Sequence, residues 1–121
     1  VVGKARALLD LGHAADAVQT LDDMRREWPQ YDSADAHLLY ARALEAAGRG
    51  EEALYEFAEL AKYYAGAEPA LRRARLLRAL GRLDESRAAA DEMLRAYRRA
   101  PRHVKRNQAE WLSEAEKLAR G

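Results

Sequence analysis

A spaced pattern recurs three times in this chain and constrains its fold more than any other feature. Ala5-Arg6-Ala7-Leu8 is followed by Gly12 and Ala17, Ala41-Arg42-Ala43-Leu44 by Gly48 and Ala53, and Ala74-Arg75-Leu76-Leu77 by Gly81 and Ser86. In each copy Ala to Leu is three residues, Leu to Gly four, and Gly to the next small residue five. The glycines recur after 36 and then 33 residues, a period that belongs to stacked helical repeats. Alanine fills 27 of the 121 positions, and with Leu, Arg and Glu it supplies strong helix formers. The expected fold class is therefore all-α, built from helix-turn-helix units.

Units are expected at about 1–31, 32–66 and 67–100. In the first, helices over 1–11 and 14–28 flank a turn at Gly12-His13, and Pro29 stops the second helix. No capping residue precedes Val1, which predicts a truncated first helix and a chain that is a fragment of a longer one. In the second unit Asp32 or Ser33 caps a helix running to about Ala47. Gly48-Arg49-Gly50 turns the chain, and Glu51-Glu52 suits the positive end of the next helix dipole. Gly66 is expected to close that helix. Pro69 opens the third unit in the first helical turn, Gly81 turns it, and Asp84-Glu85 starts its second helix, which the late Pro101 makes about one turn longer. Ala17, Leu21 and Met24 form a buried stripe repeated by Ala53, Phe57, Leu60 and by Ser86, Ala90, Met93. From about 102 to 120, Val104, Gln108, Trp111, Ala115 and Leu118 predict one continuous amphipathic capping helix, in which Ala109 and Leu112 echo the Ala-x-x-Leu spacing without a turn glycine.

These residues resemble the tetratricopeptide repeat: a unit near 34 residues, small residues at Ala5, Ala41 and Ala74, the turn glycines, the small residues after them, and Pro29 closing the first unit. The resemblance covers nearly the whole chain. It departs from the family where His37 and Ala70 stand in place of an early aromatic, and where closing prolines are missing or displaced. Trp28, Tyr64 and Tyr97 mark the second-helix ends, a feature the family does not demand. The C-terminal half is similar to divergent bacterial members, some linked to membrane-anchored chains. The resemblance implies a right-handed solenoid of about three units plus a C-terminal capping helix, acting as a non-enzymatic protein–protein interaction scaffold. It also implies that first helices line a concave groove, placing Arg6, Asp35, Leu38, Arg42, Glu45, Glu68, Leu71, Arg72, Arg75 and Arg78 there. Arginines one repeat apart suit an extended, acidic peptide, because a guanidinium grips a carboxylate through two hydrogen bonds. Internal pairing, Arg6 with Asp10 and Arg42 with Glu45, is the competing reading, and it leaves Arg75 and Arg78 the least compensated.

Charge is uneven. Residues 1–67 carry 7 basic and 12 acidic groups (−5), residues 68–106 carry 12 and 5 (+7), and the last fifteen come to −1. The densest basic stretch, Arg95, Arg98, Arg99, Arg102, His103, Lys105 and Arg106, suggests an alternative function as an anionic-surface docking module for membrane or nucleic acid. A solvated helix end complementing the helix dipole is the favoured reading of that stretch. A third reading is self-association, as a homo-oligomer or as part of a larger membrane-anchored bacterial protein. Arg outnumbers Lys 17 to 4, which together with the alanines points to a GC-rich bacterial genome. A cytoplasmic location is expected, with any membrane attachment through segments outside this chain. There are no cysteines, and His13, His37 and His103 fall in three separate places without metal-ligand spacing. Asp22-Asp23 and Glu51-Glu52 read as helix surface and helix start. No catalytic residue, metal, cofactor or small-molecule substrate is expected.

Overall fold

Helix-forming runs broken at glycine become eight helices among the described residues of a computed structural model, which describes residues 1–29 and 33–121. They are α1 (Val2–Asp10), α2 (Ala14–Glu27), α3 (Ala34–Ala46), α4 (Gly50–Ala61), α5 (Glu68–Ala79), α6 (Leu83–Tyr97), α7 (Arg102–Asn107) and α8 (Ala109–Arg120). No strand occurs among the described residues. The chain divides into two compact units, Val1–Leu60 and Ala61–Gly121. In the first, α1 packs on α2 and α3, and α2 on α3. In the second, α5 pairs with α6, and α8 packs on both, with α7 against α8.

The three expected turns form alike. Gly12, Gly48 and Gly81 have φ of 84°, 80° and 79°, a left-handed conformation that a side chain disfavours. In each turn the next amide closes the helix end: His13 N–H donates to Leu8 O at 2.8 Å, Arg49 to Leu44 at 2.9 Å, and Arg82 to Leu77 at 2.9 Å. Glycine is therefore required here by the backbone. The turn reverses the chain, and the small residues on both sides of it are buried. Ala5, Ala41 and Ala74, and Ala17 and Ala53, are each 0% exposed, and Ser86 is 2% exposed. Ser86 can replace alanine because its hydroxyl donates to Ala74 O at 2.8 Å, removing the cost of burying an unpaired polar group.

The stripes are buried as expected: Leu21, Met24, Phe57, Leu60, Ala90 and Met93 all lie in the interior. At the start of α3, Ala36 N–H donates to Ser33 Oγ at 3.2 Å, so Ser33 is a cap. The other candidate cap, Asp32, lies outside the described residues.

Three expectations are corrected. Gly66 does not close α4, which ends at Ala61. With φ of 147° it sits beside the Gln108 side chain, and a Cβ there would lie 3.3 Å from Gln108 Oε1. Second, the C-terminal helix is not continuous but divides at Gln108 (φ −105°, ψ 12°). Helical bonding passes through the bend, from Gln108 N–H to Val104 O and Leu112 N–H to Gln108 O. The bend places Gln108 Oε1 2.8 Å from the Ala67 N–H, which it accepts. Third, the Ala-x-x-Leu echo carries no buried contact at Ala109, which is exposed, whereas Ala115 of the expected stripe is 0% exposed. Ala115 lies in a core with Ala67, Leu71, Ala90 and Met93, flanked by Trp111, Leu112 and Leu118. Trp111 stands four residues before Ala115, as His37 does before Ala41 and Ala70 before Ala74.

Denaturant unfolding can test two of these contacts. Ala41→Leu overfills a position with no free space and should cost about 1–3 kcal/mol. Gln108→Leu leaves the buried Ala67 N–H unpaired and should cost about 1–3 kcal/mol; an unchanged midpoint would show that the bend does not depend on this bond.

Candidate binding surfaces

In the first unit the expected groove residues have different fates. Arg6 and Asp35 are exposed, and Arg42 and Glu45 are half-buried. Leu38 is buried, at 9% exposure, which corrects its place among surface candidates. It lies three residues before Ala41, and residues three apart share a helix face, so it follows Ala41 inward. Arg6 and Arg42 make no ion pair among the described residues.

A cluster that local rules did not reveal ties α2 to α3. Tyr40 Oη donates to Asp22 Oδ1 at 2.8 Å, and the Arg25 guanidinium lies 4.9 Å from the Tyr40 ring centroid, within cation–π range. Asp22, Arg25 and Arg26 line a shallow hollow of about 300 Å³ beside it. Burial, then the hydrogen bond and negative charge of Asp22, push the Tyr40 hydroxyl up to about 12. Asp22 is thus a specific acceptor, whereas Asp23 pairs with Arg26 on the surface. His37 is turned toward α4, with Nε2 2.7 Å from Glu56 Oε1. At the open side of α1 and α2, Val1, Val2, Gly3, Met24 and Trp28 line an apolar cavity of about 490 Å³.

In the second unit Leu71 is 0% exposed and belongs to the core, the counterpart of Leu38 and corrected for the same reason. Of the two arginines expected to be least compensated, Arg75 is engaged and Arg78, among the described residues, is not, while their neighbour Arg72 is held twice over. Arg72 Nε donates to Glu68 Oε2 at 2.7 Å, and its guanidinium lies 5.9 Å from the Trp111 ring. Arg75 pairs with Glu114 of α8, a partner 39 residues away that helix spacing cannot show. Arg78 is exposed, with no ion pair among the described residues.

The turns carry a second repeated motif. Arg49 grips Glu52 through Nε to Oε1 at 2.8 Å and Nη2 to Oε2 at 2.6 Å. Arg82 grips Glu85 the same way, at 3.0 and 2.8 Å. Each fork holds its carboxyl below the usual glutamate range. The signal lies in the sequence as a basic residue after the turn glycine and a glutamate three residues on. It fixes a helix start and takes both arginines out of consideration as ligand groups.

The basic residues Arg95, Arg98, Arg99, Arg102, His103, Lys105 and Arg106 are all exposed. Among the described residues no group of three or more His, Cys, Asp or Glu is placed to hold a metal ion. No helix among them is long and apolar enough to cross a membrane. Comparison with known proteins finds no matching family model, no similar curated protein and no similar solved structure.

The Tyr40 site has a definite pH signature. Its folded-state value exceeds the ordinary value near 10, so the neutral phenol favours the fold. That contribution is complete below about pH 10 and is lost as pH rises through about 12. Ultraviolet titration should show a late phenolate step that Tyr40→Phe removes, together with a shallower alkaline loss of stability. An identical late step in the variant would assign it to another tyrosine.

Proposed function

We propose that the chain is a tetratricopeptide-like helical-repeat module, a right-handed solenoid that binds an acidic segment of a partner protein without chemistry of its own. The supporting observation is the recurrence of one local geometry: left-handed Gly12, Gly48 and Gly81, each preceded by a buried alanine and followed by a buried small residue. An array of this kind makes its first-helix surfaces equivalent by construction, so unpaired groups on those surfaces are the natural ligand contacts.

The arginines suited to that task are Arg42 and Arg78, on α3 and α5. Arg75 is the weaker candidate because Glu114 already holds it, and Arg72 is held by Glu68. A free guanidinium can make a two-bond fork with a carboxylate, and hydrogen bonds to charged groups contribute about 1.5–3 kcal/mol each.

The test is polarisation binding to a panel of Asp- and Glu-rich peptides. Wild type should retain a subset, and Arg42→Glu or Arg78→Glu should each weaken that binding about tenfold or more. Arg49→Gln, which touches only the turn fork, should leave it unchanged. Equal binding by wild type and both charge-reversed variants, or no binding to any acidic peptide, would refute the reading.

A further inference from the structure

We propose that the basic surface formed by the end of α6, the turn after it and α7 docks on the sugar–phosphate backbone of double-stranded nucleic acid, without reading base sequence. The contact groups are Arg95, Arg98, Arg99, Arg102, Lys105 and Arg106. This proposal does not rest on the peptide reading above, since it uses a different surface and different residues.

The first observation is the absence of local compensation. No Asp or Glu occurs between Glu92 and Glu110, and all six cations are exposed with no ion pair among the described residues. Elsewhere the chain supplies carboxylates readily: Arg26, Arg49, Arg72, Arg75, Arg82 and Arg87 each have one. The second observation concerns helix dipoles. Arg95 lies in the last turn of α6, and Lys105 and Arg106 in the last turn of α7, where positive charge complements the dipole. Arg98 and Arg99 lie at and beyond the end of α6, while Arg102 is the first residue of α7, whose first turn has no acidic group. A cation at a helix start opposes the dipole, so helix stability does not account for Arg102.

The chemistry of the surface narrows the partner. Among the described residues the exposed large apolar side chains are Val1, Leu11, Trp28, Tyr55, Tyr63, Leu80 and Leu83, none of them within 95–106. An interfacial membrane helix needs an apolar face to bury among the acyl chains, and this surface presents none. Unpaired bases require exposed aromatic rings to stack on. The one Phe, Tyr or Trp here, Tyr97, is half-buried in the core of the second unit, which raises its hydroxyl above the ordinary tyrosine value, so the only exposed aromatic ring here is the small imidazole of His103. Five of the six groups are arginines, whose planar fork matches phosphate oxygens. A charged surface with no apolar wedge and no exposed Phe, Tyr or Trp suits a paired duplex, where phosphates face outward and bases do not.

The experiment measures binding of the whole chain to a duplex of arbitrary sequence, about two helical turns long, across a salt series. Controls are the same strand unpaired and vesicles of phosphatidylserine and phosphatidylcholine. The expected result is duplex binding whose logarithm falls linearly with the logarithm of salt concentration. Replacing Arg98, Arg99 and Arg102 by Gln should weaken it and make the slope shallower by about 0.9 for each phosphate that is no longer neutralised. Arg49→Gln, in the first unit and held by Glu52, should change neither quantity. The six side chains are exposed and unpaired, so circular dichroism should report unchanged helix content in the triple variant. Absence of duplex binding, an unchanged slope in the triple variant, or preference for vesicles or single strands would overturn the proposal.

Discussion

Helix packing at the three glycine turns depends on small residues buried on both sides of the turn, the last of them a serine hydrogen-bonded to the opposite backbone. The contacts at Ala5, Ala17, Ala41, Ala53, Ala74 and Ser86 are inaccessible to water or nearly so. Such burial leaves no room for relaxation, because protein interiors are packed at crystal-like density. The turn must therefore return the chain at one fixed distance and direction, which the left-handed glycines accomplish. Leu44 and Leu77, three residues after the alanines, are then driven fully inside, while the arginine next to each alanine is left at or near the surface. Packing and the placement of candidate ligand groups thus have the same geometric origin.

The second unit shows how the scheme is modified at its end. α8 packs on α5 and α6, with Ala115 as its small buried residue and Trp111 four residues earlier. The six-residue α7 and the bend at Gln108 absorb the extra chain length. Gln108 meets the backbone of Ala67 beside Gly66, so one side chain couples the linker before α5 to the helix after α6. Glu114 reaches Arg75 from the same helix. α8 therefore covers apolar surface and also neutralises an arginine, shifting the available positive charge to Arg78 and to the surface around Arg98–Arg102.

Charge in this molecule is divided between pairs that stabilise local structure and groups that remain uncommitted. The forks at Arg49–Glu52 and Arg82–Glu85 repeat with the turns and belong to the scaffold. The Tyr40–Asp22–Arg25 cluster clasps α2 to α3. Among the described residues outside those pairs are Arg6, Arg42 and Arg78 on first helices and the group from Arg95 to Arg106, cations with capacity for an external anion.

The helices, the three turns, the alanine contacts and the buried stripes were legible in the residues, because each follows from local spacing: 3.6 residues per turn, glycine at positive φ, small residues at buried positions. The buried fate of Leu38 and Leu71 was legible too, since both share a face with the alanine three residues later, although the family resemblance placed them on a surface. Tertiary structure alone decided the bend at Gln108 and the pairing of Tyr40 with Asp22 and Arg75 with Glu114. These contacts join residues 18 to 41 positions apart, and which distant groups meet depends on how helices pack after they form. Local chemistry determined the repeating unit; the long-range contacts decided which of its charged side chains were left over.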